Sequence, residues 1–233
     1  MQPGVRIGSA RAFTYNARRL LTRIVLVFTS LTLCAASASA QVTVAIARVA
    51  FKDVTTQRFA EVLHESPGGW IFPDIGYVDF GGKVYREFFA GVGRTLRRSP
   101  RLTVVSTLYY QQAAGPASKA ARYLVPWFLV NCRPHARVQC EAVYFPYLPL
   151  TDGAHVQHVL ERAKAEYSLL PRLRLGAGYG AFQTRGVPWQ NRPFVTATVS
   201  PPHVGDVEVW VQHLPNRGAQ VQLRYQRVFK GGA

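Results

Sequence analysis

The chain has 233 residues, of which 48% are hydrophobic and 12% aromatic, and its formal charge at pH 7 is +16. This length allows one domain plus a leader, or at most two small domains. The positive charge suits nucleic acid or an anionic lipid surface, and the export signal described next argues against nucleic acid as a partner.

Residues 1–40 are predicted to be a secretory signal peptide. A basic region containing Arg18, Arg19 and Arg23 precedes the apolar run 24–34, and Ala38 and Ala40 form a small-x-small cleavage site. The run is shorter than the ~20 residues that a membrane-anchoring helix needs. Cleavage would leave 23 basic and 12 acidic residues, and would deliver the chain to a compartment that permits disulfides.

The mature chain is predicted to consist of β-strands of about ten residues, close to the ~9–11 that a tilted membrane strand needs. Tight, proline-marked turns alternate with longer connections rich in Gly, Pro, Ser, Asp and Asn. The tight turns are predicted at residues 98–101, 133–136, 170–172 and 201–204. The longer connections are predicted at residues 112–120, 148–156, 183–191 and 214–218.

Apolar and polar side chains alternate along several of these runs, as they do on a strand with one apolar and one polar face. The last run, 218–229, is the clearest example, and the runs 88–96, 137–147, 172–182 and 207–212 repeat the pattern. Residues 158–170 contain good helix formers, but the flanking strands and the turn at Pro171 favour a strand there.

The N-terminal part leaves more than one interpretation open. Residues 41–56 are either a periplasmic lead-in or an extra strand, and residues 66–84 are predicted to be a long outer loop. Counting residues 57–65 as the first strand gives a barrel over residues 57–229 and a tail over residues 230–233. We therefore predict an all-β, antiparallel up-and-down transmembrane barrel of about ten strands, with eight or twelve as alternatives.

The orientation of the two faces decides between a membrane barrel and a soluble one. Gly91, Gly93, Gly176, Gly178 and Gly180 fall on the polar face, where they would relieve crowding inside a narrow barrel. Aromatic residues gather near strand ends, as they do at membrane interfaces. We therefore expect a lumen plugged by ion pairs, formed by Glu87, Glu141, Arg162, Lys164, Glu166, Arg172, Arg174, Glu208 and Arg224.

With these features the chain resembles small Gram-negative outer-membrane β-barrel proteins. In that class the last strand carries the signal read by the barrel-assembly machinery, and Val221, Leu223, Tyr225 and Phe229 match its alternating hydrophobics and final aromatic. Four residues follow Phe229, whereas the class usually stops at the aromatic. The resemblance implies a location in the bacterial outer membrane, outer-membrane lipids as neighbours, and a monomer.

Small barrels of this class include lipid-modifying enzymes, and the candidate catalytic residues here are Asp152, His155, His158 and Glu161. No serine in a recognisable nucleophile motif lies near them, and no ligand spacing indicates zinc. Solvated loop residues are the competing interpretation, which we favour, so we predict no enzymatic activity, no cofactor and no metal.

Cys132 and Cys140 flank the turn at Pro134 on strands that we expect to pair. They are predicted either to form a cross-strand disulfide near the periplasmic rim or to remain free thiols. Basic residues at both rims suit anionic lipid phosphates, with ordinary solubility as the alternative.

The predicted function is that of an integral outer-membrane barrel with a structural or envelope-related role. Three alternatives remain open at this point: a lipid-modifying enzyme using rim residues, a narrow pore, and a periplasmic lipocalin-like lipid carrier whose apolar faces turn inward.

Overall fold

A computed structural model describes residues 42–52, 55–81, 85–118, 120–215 and 218–230. Within these residues the chain forms twelve β-strands, and there is no helix long and apolar enough to cross a membrane. The strands are β1 Val42–Lys52, β2 Thr55–Glu65, β3 Trp70–Asp79, β4 Arg86–Arg98, β5 Leu102–Ala114, β6 Arg122–His135, β7 Val138–Pro149, β8 Gln157–Leu170, β9 Leu173–Thr184, β10 Val187–Val199, β11 Asp206–Leu214 and β12 Gly218–Lys230.

The strands follow one another around a closed antiparallel barrel. Each pairs with its neighbours in sequence, and β1 pairs with β12 to complete the ring, with Ile46 opposite Gln226 and Val49 opposite Leu223. Closure leaves no strand edge unpaired, which a sheet in lipid requires. The predicted fold class is confirmed, and the number of strands is twelve, one of the two alternatives to ten.

The strand count exceeds ten because two N-terminal segments belong to the barrel. Val42–Lys52 is β1 and pairs with both β2 and β12. The prediction of a long outer loop over residues 66–84 is wrong for Trp70–Asp79, which forms β3. Its alternation is hidden because Pro73 lies in a register shift between Ile71 and Asp74, and proline within a strand is tolerated at bulges. The predicted signal peptide, residues 1–40, and residues 231–233 lie outside the described residues.

The predicted turns at the periplasmic end are present, at residues 99–101, 136–137, 171–172 and 200–205. At the other end, the connections 115–121 and 150–156 are long, as expected. The connection predicted over residues 183–191 is shorter: β9 runs to Thr184 and β10 begins at Val187. A two-residue turn is possible there because Gly186 takes a φ of +74°.

The ambiguous segment 158–170 belongs to strand β8, which confirms the strand interpretation over the helical one. A register shift between Leu160 and Ala163 inserts one extra residue into its pairing with β9. As a result, Glu161 and Arg162 both reach the inside of the barrel although they are adjacent in sequence. The helix propensity of this segment is overridden by pairing with β7 and β9, which provides hydrogen-bond partners for the backbone on both sides of the strand.

The apolar faces of the strands point out of the barrel and the polar faces point in. Leu175, Val209 and Leu223 are about two-fifths exposed on the exterior, whereas Glu208 is 4% exposed and Arg224 7% exposed inside. An apolar exterior with a polar interior is the arrangement of a barrel whose solvent is lipid. This orientation argues against the lipocalin-like alternative, which needs an apolar interior.

Candidate functional site

The most ordered feature of the lumen is a continuous run of alternating basic and acidic side chains, which we call the charge chain. Each member contacts the next, either along one strand, between neighbouring strands or across the lumen. It consists of Arg48, Glu161, Arg162, Glu141, Arg224, Glu208, Lys164, Glu166, Arg174 and Asp206, in spatial order. Five bases and five acids make it electrically neutral.

The contacts along the charge chain are direct. Arg224 Nη1 lies 3.2 Å from Glu141 Oε1 and 3.3 Å from Glu208 Oε2, so this one guanidinium joins β7 to β11. Arg162 is bound by both Glu141 and Glu161, and Lys164 by Glu208. Buried charges persist only when they are paired in this way, because an unpaired ion out of water costs several kcal/mol.

Neighbouring hydroxyls complete the coordination of two of these carboxylates. Thr196 Oγ1 donates to Glu208 at 2.7 Å, and Thr198 Oγ1 donates to Glu166 at 2.6 Å. Both threonines lie on the inward face of β10, two residues apart, as the strand period requires. These hydrogen bonds therefore orient the carboxylates of Glu208 and Glu166.

An aromatic pair lies beside the charge chain. The rings of Phe194 and Trp210 stack at 4.8 Å between centroids, and Lys164 Nζ is 5.9 Å from the Trp210 ring. The glycine at position 178 makes room for the pair, because a Cβ there would overlap the Phe194 ring. The alternating glycines of β9 thus form a flat inner wall on which large side chains of β10 and β8 can lie.

A polar cavity of about 280 Å³ extends from the periplasmic turn 99–101 to the charge chain. Glu141, Lys164, Glu166, Arg174 and Arg224 lie at its inner end. The other polar residues that line it, apart from the turns and the rest of the charge chain, are Thr103, Asn131, Arg133, Gln139, Thr198 and Gln226. Water can therefore approach the charge chain from the periplasmic side.

The opposite wall of the lumen carries carboxyls held by tyrosines instead of bases. Tyr109 Oη lies 2.6 Å from Asp74 Oδ2 and 3.1 Å from Glu61 Oε1, and Tyr147 Oη lies 3.3 Å from Glu87 Oε2. In the part of the chain that the structure describes, none of these three carboxyls forms an ion pair. The rings of Tyr109 and Tyr147 belong to an aromatic cluster that fills this side of the barrel.

Of the nine residues predicted for the lumen network, seven lie in the charge chain. Glu87 is inside but is bound by Tyr147. Arg172 lies in the turn before β9 and is exposed, because the strand begins one residue later than predicted. Arg48, Glu61, Asp74 and Asp206 were missed, although the alternation of β2 would have placed Glu61 on the inner face.

The four catalytic candidates do not come together. Glu161 is inside the barrel and bound by Arg48 and Arg162. His158 contacts the hydroxyl of Tyr144 at 2.9 Å, and Tyr144 belongs to the outward face of β7. Asp152 and His155 are exposed in the connection 150–156. Within the described residues, no group of three or more His, Cys, Asp or Glu side chains is placed to hold a metal ion.

The two cysteines form a disulfide bridge between β6 and β7. Cys132 pairs with Cys140 in the register of the two strands, with Cα atoms 5.0 Å apart.

On β12, the face that carries the predicted assembly signal points outward, and Val221 and Leu223 are exposed on it.

No protein-family model matches the sequence, and no curated protein matches it significantly. Several solved structures share its fold, including two porins and an outer membrane channel. A KdgM porin covers 80% of this chain and 99% of its own, with 11% identity and a TM-score of 0.57. A NanC porin covers 81% and 98%, with 7% identity and a TM-score of 0.56. The COG4313 outer membrane channel from Pseudomonas putida F1 covers 84% and 97%, with 12% identity and a TM-score of 0.52.

At these identities the similarity concerns the fold. The predicted resemblance to outer-membrane barrel proteins and the outer-membrane location are confirmed, because the described strands close into the fold of these proteins and turn an apolar surface outward.

Proposed function

We propose that this chain forms a narrow channel through the bacterial outer membrane, with the charge chain as its constriction. The observation that carries this proposal is the polar cavity that leads from the periplasmic end to the charge chain. A barrel of twelve strands is wider than the eight-strand size that side chains fill completely. The centre of the barrel holds polar side chains joined by ion pairs, and a solute passes when these pairs separate.

The constriction is tight in the conformation described. Trp210 is 1% exposed, and Arg162, Gln212 and Gln222 are all buried although they face the lumen. A wide water-filled pore would leave these inward side chains hydrated. We therefore expect a low conductance with frequent closures rather than the steady current of a large porin.

The constriction is also balanced in charge, because each base of the charge chain except the terminal Arg48 lies between two acids. One solved structure with the same fold is described as a KdgM porin in complex with oligogalacturonate, whose sugar units carry carboxylates. Every guanidinium of the charge chain is already bound by a carboxylate. We therefore propose small polar solutes and ions of either sign as the permeating species.

A closed barrel with a structural or envelope-related role is the second candidate. It is favoured by the burial of the inward side chains and by the disulfide and ion pairs that tie the wall together. We propose no enzymatic role, because the candidate residues Asp152, His155, His158 and Glu161 are dispersed. A monomer, assembled by the barrel-assembly machinery, is sufficient for either candidate.

Conductance in planar lipid bilayers separates the two candidates. The informative variant is Lys164→Ala with Glu208→Ala, which removes one ion pair from the constriction without changing the net charge. For a channel we expect small, intermittent conductance from the wild type and at least about twofold larger steps from the double variant, since two long side chains leave the lumen.

The matched control is Val209→Ala, which lies next to Glu208 on the same strand but points outward, and which should conduct like the wild type. All three proteins must first show the shift in gel mobility on heating that marks a folded barrel. If the folded wild type and the folded double variant both fail to conduct, the channel proposal is wrong and the closed barrel is favoured.

A further inference from the structure

The distribution of charge between the inside and the outside of the barrel is uneven. The sequence has only 12 acidic residues, and nine of them turn towards the lumen or its periplasmic mouth. These nine are Glu61, Glu65, Asp74, Glu87, Glu141, Glu161, Glu166, Asp206 and Glu208. Because most bases remain outside, the lipid-facing surface and the rims carry a large positive excess.

At the periplasmic rim this excess is not neutralised by the protein. Eight basic side chains lie there without an ion pair to any described residue. They are Arg94, Arg97, Arg101, Arg133, Arg137, Arg172, Arg227 and Lys230. Two acidic residues near this rim already form ion pairs with other bases, Glu65 with Arg98 and Asp206 with Arg174.

Three of these arginines contact aromatic side chains. The Arg94 guanidinium lies 5.1 Å from the centre of the Trp70 ring, and that of Arg227 lies 4.7 Å from the centre of the Phe229 ring. Arg137 Nη1 donates to the hydroxyl of Tyr167 at 3.3 Å. The pairs lie at separate places around the rim, on β3 and β4, on β12, and at the β7–β8 side of the barrel.

Apolar side chains adjoin the same rim. Leu96, Leu169 and Val199 are 62%, 53% and 44% exposed, near the periplasmic ends of β4, β8 and β10. Aromatic residues form girdles at the two membrane interfaces of outer-membrane barrels, at the level of the lipid headgroups. An arginine in contact with such a ring therefore lies at the depth of the lipid phosphates. The acyl chains begin beside the exposed Leu96, Leu169 and Val199.

We propose that the periplasmic rim binds anionic phospholipids of the inner leaflet, through arginines that aromatic side chains hold at phosphate depth. A guanidinium binds a phosphate with two parallel hydrogen bonds, and a basic residue near an anionic membrane surface contributes about a fivefold gain in affinity. The basic residues are spread around the circumference beside apolar surface, which suits several separate headgroups rather than one soluble polyanion.

The test is native mass spectrometry of the full barrel from micelles containing equal amounts of phosphatidylglycerol and phosphatidylcholine. We expect the wild type to retain phosphatidylglycerol preferentially. In a variant with Arg94→Gln, Arg137→Gln and Arg227→Gln, the ratio of retained phosphatidylglycerol to phosphatidylcholine should fall at least about fivefold. This is the effect expected of a single membrane-proximal arginine.

The matched control has Arg58→Gln, Arg122→Gln and Arg185→Gln, which remove the same charge from the opposite rim, and it should keep the wild-type preference. Equal retention of the two lipids by the wild type would overturn the proposal, as would an equal loss in both triple variants. Should the rim variant fail to fold, the wild type alone decides: retention of phosphatidylglycerol must fall as NaCl is raised, and retention independent of salt contradicts the proposal.

Discussion

Replacing Arg162 by methionine tests whether the charge chain stabilises the barrel. Methionine keeps an unbranched apolar stem but removes the guanidinium that Glu141 and Glu161 share. Breaking a buried ion pair by removing one partner costs about 3–5 kcal/mol. Each of these carboxylates keeps a second base, Arg224 or Arg48, so we expect the lower end, about 3 kcal/mol.

The measurement is urea unfolding of the barrel refolded in phosphatidylcholine vesicles, followed by circular dichroism and tryptophan fluorescence. Arg172→Met is the control, because Arg172 is exposed and has no ion pair, and it should leave the unfolding midpoint unchanged. A double variant, Arg162→Met with Glu161→Gln, should lose less than the sum of the two single changes, since neighbours in one network are not additive. If Arg162→Met unfolds like Arg172→Met, the charge chain does not stabilise the barrel and the reasoning fails.

Three further outcomes are expected. Gly178→Val should destabilise the barrel by about 1–3 kcal/mol, because the added side chain overlaps the Phe194 ring. Adding Phe194→Ala should restore part of the lost stability in the same urea assay, and no restoration would contradict the contact. Cys132→Ser should lower the free energy of unfolding by about 2 kcal/mol and leave Cys140 open to a maleimide, whereas both cysteines of the wild type should stay unlabelled until reduced. Phe229→Ala should reduce the fraction of protein that reaches its heat-modifiable form in cells, and unchanged yields would argue against an assembly signal on β12.

The exterior of the barrel could be predicted from the sequence because lipid leaves a strict period of two. Leu173, Val209 and Leu223 follow that period, and all three face outward. The period also placed Arg162, Lys164 and Glu166 on one inner face, although it could not show which acid each base would meet. Those partners depend on the register of strands that are far apart in the sequence.

The failures have local physical causes. Pro73 breaks the alternation of β3, and the bulge that accommodates it cannot be recognised from residue types alone. Glu161 was predicted to belong to a rim site, whereas the register shift in β8 brings both Glu161 and Arg162 inside the barrel. Propensity favoured a helix over residues 158–170, and pairing with β7 and β9 overrides it.

The charge chain connects the seam of the barrel to its far wall. Arg48 belongs to the first strand and Arg224 to the last, and they reach across to Glu161 on β8 and Glu141 on β7. These bonds span 113 and 83 positions of sequence, so they form only when the first and last strands have met. The closing of the seam between β1 and β12 and the formation of these two ion pairs are then coupled, and a barrel halted before closure would lack both bonds.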